Sequence, residues 1–117
     1  MKNAAPTFKF RDFIPEVDAS IPEVFALDQN YPNPFNPSTT IKYQLPRAAY
    51  VSLKIFNSLG QLVTTLVDEK EEAGYFNVNW NAANIPSGIY FCRLQARQAE
   101  GGRAGEFVET KKMVLLK

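Results

Sequence analysis

An all-β fold, an antiparallel immunoglobulin-like β-sandwich of about seven strands preceded by an extended linker, is what this sequence predicts, on three observations. Apolar residues recur with a period of two in one run after another, turn residues fall at intervals of about ten positions, and no stretch carries helical periodicity. A period of two sends alternate side chains to opposite faces, so each run can bury one face and leave the other to water.

The first segment, residues 1–26, holds Pro6, Pro15 and Pro22 among charges and isolated aromatics, and Ile14-Pro15-Glu16-Val17 is echoed by Ile21-Pro22-Glu23-Val24. Each proline fixes φ and removes a donor, so the segment reads as a linker or the end of a cargo. Phe8-Lys9-Phe10 alternates as a short strand would, and the linker reading covers it too. Next comes Tyr31-Pro32-Asn33-Pro34-Phe35-Asn36-Pro37, where the prolines push Tyr31, Asn33 and Asn36 into extended geometry. An ordered turn is expected, with the asparagines bonding local backbone and the Tyr31 and Phe35 rings pinning the loop to a core. A polyproline II ligand is the lesser reading of the same spacing. Asn36-Pro37-Ser38 is no glycosylation acceptor, because proline holds the middle place.

Strands follow. Ile41, Tyr43 and Leu45 share a face until Pro46 ends the run; Val51, Leu53 and Ile55 share the next, and Asn57-Ser58-Leu59-Gly60 is a hairpin turn with glycine at its close. Residues 61–67 return as the partner strand, Asp68-Glu69-Lys70-Glu71-Glu72 is expected to be a charged turn, and Gly74 resets the chain for Phe76, Val78 and Trp80. After the turn at Asn84-Ile85-Pro86-Ser87-Gly88, Tyr90, Cys92 and Leu94 alternate with Arg93, which puts Cys92 in the core. Residues 98–105 form a long hairpin loop, and residues 107–116 close the sheet.

Composition excludes several functions. A formal net charge of +1 over 117 residues does not suit a protein that must neutralise many phosphates, so no nucleic-acid partner is expected. The chain contains no histidine, which removes imidazole-based catalysis and the commonest metal ligand together. The single cysteine, Cys92, can form no intrachain disulfide and has no base to activate it. The acidic cluster Asp68, Glu69, Glu71 and Glu72 is interrupted by Lys70 and lacks calcium-loop spacing. No enzyme activity, cofactor or metal is expected. No window is long and apolar enough for a membrane span, and the opening residues lack a signal-peptide pattern, so either a signal was removed or the chain is the tail of a longer one.

Residues 27–41, from Leu27-Asp28-Gln29-Asn30 through the proline–asparagine string to Ser38-Thr39-Thr40-Ile41, resemble the opening signature of the C-terminal sorting domain of type IX (Por) secretion cargo, type A. Further pieces match in order: Val51 to Asn57 before Gly60-Gln61, Ala73-Gly74 before the Trp80 strand, Pro86-Ser87-Gly88-Ile89-Tyr90-Phe91, and Lys111-Lys112-Met113-Val114-Leu115-Leu116-Lys117. The signature residues are thus Asn30, Tyr31, Pro32, Asn33, Pro34, Phe35, Asn36, Pro37, Gly60, Gly74, Trp80, Ser87, Gly88 and Tyr90, and the match covers residues 27–117. Cys92 stands where an aromatic is frequent, and residues 98–105 lengthen the last hairpin.

The resemblance implies a seven-stranded sandwich that directs a cargo through the outer-membrane type IX translocon. It also implies a sortase-like cysteine protease that cuts upstream, here between Pro15 and Ala26, and attachment of many cargoes to surface lipopolysaccharide. The expected destination is secreted or cell-surface. For the closing segment, residues 111–117, the bland reading is core and pairing residues of an edge strand; the functional one is recognition by strand addition, with Lys111, Lys112 and Lys117 discouraging indiscriminate pairing. Two other functions compete. An Ig-like adhesive module could assemble into fibres by strand exchange through Phe8-Lys9-Phe10, and a carbohydrate-binding module could use Phe56 and Phe91.

Overall fold

A computed structural model describes residues 21–98 and 105–117. Phe8-Lys9-Phe10, most of the expected linker and the middle of the last hairpin loop lie outside the described residues. The described chain forms β1 (Ala26–Leu27), β2 (Ser38–Leu45), β3 (Ala49–Asn57), β4 (Leu62–Glu71), β5 (Gly74–Asn81), β6 (Gly88–Gln98) and β7 (Glu106–Leu115). They make two antiparallel sheets, ordered β1-β2-β5 and β4-β3-β6-β7. The all-β sandwich expected from the alternation is therefore the fold. Relative to an antibody constant domain, the fourth strand lies on the sheet of β3, β6 and β7.

The core is the meeting of the inward faces. Ile41, Tyr43 and Leu45 from β2 face Val51, Leu53 and Ile55 from β3, Tyr90, Cys92 and Leu94 from β6, and Met113 and Leu115 from β7. Their burial follows directly from the period of two, since every second residue of these strands is covered. Tyr90, near the start of β6, donates its hydroxyl to Pro86 O at 2.6 Å. This is a tyrosine corner, in which a ring fills the core while its polar tip ties down the chain just upstream. Cys92 lies two positions further along the same buried face.

The charged turn does not form where its composition suggests. Asp68, Glu69, Lys70 and Glu71 continue β4, paired with Ser52, Val51, Tyr50 and Ala49, and the chain turns only at Glu72 and Ala73. The reason is position in the sheet. β4 is an edge strand, so its charges remain in water, and they make the outer edge a poor template for another chain. Two register shifts, between Leu53 and Lys54 and between Ile55 and Phe56, further twist this edge and erase the clean alternation in β4.

The strand ends define two poles. At one lie the loop before Ser38, the β3–β4 hairpin, the β5–β6 turn and the C-terminal residues, because Ser38 pairs with Asn81, Asn57 with Tyr90 and Gly88 with Leu115. At the other, Ala26 pairs with Gln44, and Phe25 stacks on Phe107 at 5.5 Å with the Arg47 guanidinium over its ring at 5.3 Å. The chain thus enters the sandwich at the pole away from its C-terminus.

Candidate functional site

Asn30 begins the proline–asparagine loop and is almost wholly buried, as is Thr39 at its close. A buried amide needs partners, and Asn30 has them: its Nδ2 donates to Thr39 Oγ1 at 2.9 Å and to Pro32 O at 3.1 Å, and its Oδ1 accepts from Gln29 Nε2 at 2.8 Å. Thr39 Oγ1 in turn donates to Pro32 O at 2.8 Å. The loop is closed by its own polar interior. The peptide bonds before Pro32, Pro34 and Pro37 are cis.

The two rings expected to pin the loop part company. Phe35 is 2% exposed and packs against Trp80 at 5.7 Å, and Trp80 meets Tyr90 edge-on at 6.0 Å. Tyr31 is 80% exposed. Its backbone exchanges both hydrogen bonds with Thr40, at 2.9 Å each. Residues directly opposite in an antiparallel pair share a face, and Thr40 faces outward between the inward Thr39 and Ile41. Tyr31 is therefore turned to water by its register.

Beyond Phe35 the loop joins the C-terminal strand. Phe35 N donates to Val114 O at 2.9 Å, Leu116 N donates to Phe35 O at 3.0 Å, and Val114 N donates to Asn33 Oδ1 at 2.9 Å. Gln29 Nε2 donates to Lys112 O at 2.7 Å. Phe35 and Leu115 form a parallel bridge. The outward backbone groups of β7 between Lys112 and Leu116 are thus occupied from within the chain. The unfilled length of that edge runs towards Glu106, where β1 approaches and Leu27 N donates to Glu109 Oε1 at 3.3 Å.

The C-terminus is held to the same pole. Lys117 N donates to Ser87 Oγ at 3.0 Å, Lys117 Nζ donates to Ala83 O at 2.5 Å, and Ala82 N donates to Pro37 O at 2.8 Å. Of the signature residues, Asn30 to Pro37, Gly60, Trp80, Ser87, Gly88 and Tyr90 gather here with Met113 to Lys117. Gly74 does not: it starts β5 opposite Leu45, at the far pole. Lys111 lies further down β7 and pairs with Glu109 at 3.1 Å.

One residue that builds this pole escaped the sequence reading. Thr39 carries a usable signal, since extending the buried set Ile41, Tyr43, Leu45 back by two reaches it. Asn57 belongs to the hairpin turn already expected. Its Oδ1 accepts from Leu59 N at 2.9 Å and Gln61 N at 3.0 Å, shaping the hairpin in which Gly60 takes φ +84°.

Titratable chemistry is sparse. Burial pushes the Cys92 thiol up to about 12, which leaves it a protonated core side chain at neutral pH. Burial also raises the Tyr43 hydroxyl well above its ordinary value, and it donates to Glu71 Oε1 at 2.6 Å; burial lifts the Glu71 carboxyl as well. Among the described residues no group of three metal-ligating side chains is assembled, and no helix is long and apolar enough to cross a membrane.

A family model described as the secretion system C-terminal sorting domain matches residues 29–103, a span that opens on the buried polar loop and takes in β2 to β6. Searches of curated proteins and of solved structures return no match. The family is a sorting signal rather than a catalytic one, in keeping with the quiet thiol. With more than half of the chain matched, the protein belongs to the secretion system C-terminal sorting domain family: it is a C-terminal sorting signal for type IX secretion, working with that machinery to send its protein across the outer membrane to a secreted or cell-surface destination.

Proposed function

We propose that residues 27–117 act as the sorting unit and residues 1–26 as a tether, and that the outer-membrane translocon reads the C-terminal pole as one composite surface. That surface comprises the exposed part of the loop from Tyr31 to Pro37 and the segment Lys111 to Lys117. The observation that carries this reading is the pairing of Phe35 and Asn33 with Val114 and Leu116. It makes two remote segments a single object that exists only in the folded chain. Because the loop already fills the β7 edge from Lys112 to Leu116, recognition there proceeds through side chains and not by strand addition.

The same reading has a sortase-like cysteine protease cut between Pro15 and Ala26, with the cargo then attached to surface lipopolysaccharide. Support comes from polarity: the tether joins at the pole opposite the composite surface, so one partner can hold the domain while another approaches the tether. Fibre assembly by strand exchange is less well supported, since one sheet edge is charged at Asp68–Glu71 and another is filled from within between Lys112 and Leu116.

The test fuses residues 1–117 behind a signal-bearing fluorescent protein in a bacterium with an intact type IX system. Release or surface display, with loss of about a domain's mass, is expected. Periplasmic retention at full length, while other cargo is exported, would overturn the sorting reading for this chain. Unchanged export after deleting Met113 to Lys117 would overturn the composite surface alone.

A further inference from the structure

The outer face of the four-stranded sheet carries a groove of about 310 Å³ beside the β3–β4 hairpin, with Phe56, Phe91, Arg93 and Thr110 in its walls. Three features there are left unresolved by the fold itself. Lys54 and Arg93 lie directly opposite each other on β3 and β6, a placement of like charges that costs stability. The Arg93 guanidinium rests over the Phe56 ring at 4.8 Å, yet its Nε is buried with no acceptor. Lys112 faces Phe91 across β6 and β7, adding a third cation. Among the described residues none of these cations has an ion-pair partner, and no acidic residue occurs in the two cross-strand rows that frame the groove, Leu62-Phe56-Phe91-Lys112 and Thr65-Lys54-Arg93-Thr110.

Local conflicts that the fold does not settle internally mark places where a partner settles them. We infer that this groove is a docking site for a peptide segment of a protein partner, one that places a carboxylate on Arg93 and an adjoining apolar side chain between Phe56 and Phe91. The carboxylate would pair with the Arg93 guanidinium where it lines the groove, give Lys54 and Lys112 a counter-charge, and remain compatible with the guanidinium's stacking on Phe56. A sugar fits less well. The amide of Asn57 is spent inside the hairpin, donating to Gln61 Oε1 and accepting from Leu59 and Gln61, so few free groups remain to hold hydroxyls. Identifying the partner as a component of the export machinery rests on the sorting reading; the acidic, apolar character of the docked segment does not.

The experiment titrates the full chain, labelled with nitrogen-15, with acetyl-Leu-Glu-Leu-Glu-amide, with the same peptide carrying Gln for Glu, and with galacturonate. Expected are saturable shifts at the Phe56, Phe91 and Thr110 amides and at the Arg93 Nε–H, weakening as salt is raised. The Gln peptide should bind at least about tenfold more weakly, and Arg93→Gln should lose the site. Should Arg93→Gln unfold, Thr110→Glu, which supplies a carboxylate from the exposed rim, is expected to block the peptide with the fold intact. Equal binding of both peptides, shifts centred elsewhere, or stronger binding of galacturonate would overturn the inference. In cells, a Lys54→Gln/Arg93→Gln fusion that is folded but exported about tenfold less would assign the partner to the machinery. Wild-type-level export of that fusion would overturn that assignment. Failure of the unaltered fusion to leave the cell is instead a failure of the sorting reading, and the peptide titration is independent of it.

Discussion

Asn33 Oδ1 accepts the backbone N–H of Val114 at 2.9 Å, across 81 positions of sequence. An asparagine side chain stands where the carbonyl of a neighbouring strand would stand, and Phe35 supplies the next partners along β7. The loop thereby serves as a short, custom-made eighth partner for an otherwise open edge, with one foot in the core through the Phe35 ring.

Asn33→Ala should cost about 1 kcal/mol, the net worth of one hydrogen bond at a partly wet site. Asn33→Asp keeps the acceptor and should recover most of that loss. Hydrogen exchange at the Val114 amide checks both, with faster exchange expected in the alanine variant only.

Phe35→Ala removes a fully buried ring and should destabilise the domain by about 3–5 kcal/mol, read as a fall in the denaturation midpoint. Tyr31→Ala alters only exposed surface and should stay within about 0.5 kcal/mol of the parent. If the composite surface is read by the translocon, Tyr31→Ala instead lowers export of a fusion that folds normally.

Gly60 has φ +84° and open space around it, so an added methyl meets strain and no clash. Gly60→Ala should cost about 1–2 kcal/mol, and Gly60→Asn less, because asparagine tolerates this region better. Urea midpoints of the two variants give the comparison.

Tyr43 sets an alkaline limit. Its hydroxyl pKa in the folded chain lies above the unfolded value of 10.0, chiefly through burial and then through its bond to Glu71. The neutral hydroxyl's contribution is fully present below pH 10 and is lost as pH rises through the folded value. Tyr43→Phe should therefore show a smaller drop in Tm than the parent between pH 9 and 11, while losing about 1 kcal/mol at neutral pH.

The Cys92 thiol, 1% exposed and pushed up to about 12, should react with a thiol reagent only through opening of the sandwich. Its labelling rate in the native state is expected to rise in parallel with Phe35→Ala destabilisation. Rapid labelling of the unaltered chain would contradict the buried placement.

The alternations Ile41-Tyr43-Leu45, Val51-Leu53-Ile55 and Tyr90-Cys92-Leu94 were sufficient by themselves to establish strands, facing and a sandwich, because a period of two leaves only one way to bury such residues. The Asn57 to Gly60 hairpin was equally legible, since its chemistry is local. The proline–asparagine string could be recognised from residues alone as an ordered element, and it resembles the opening of the family whose model matches residues 29–103. What it does physically could not be recognised that way. That Phe35 enters the core while Tyr31 faces water depends on the register with Thr40, and that Asn33 serves Val114 depends on β7 arriving from the far end of the chain. The strand of Asp68 to Glu71 was misread for the same reason: acidic residues suit a turn or an edge strand alike, and only the sheet order determines which surroundings they have. Local pattern dictates the elements, whereas the partners of an edge are chosen by residues distant in sequence, and that choice is made only when the sandwich closes.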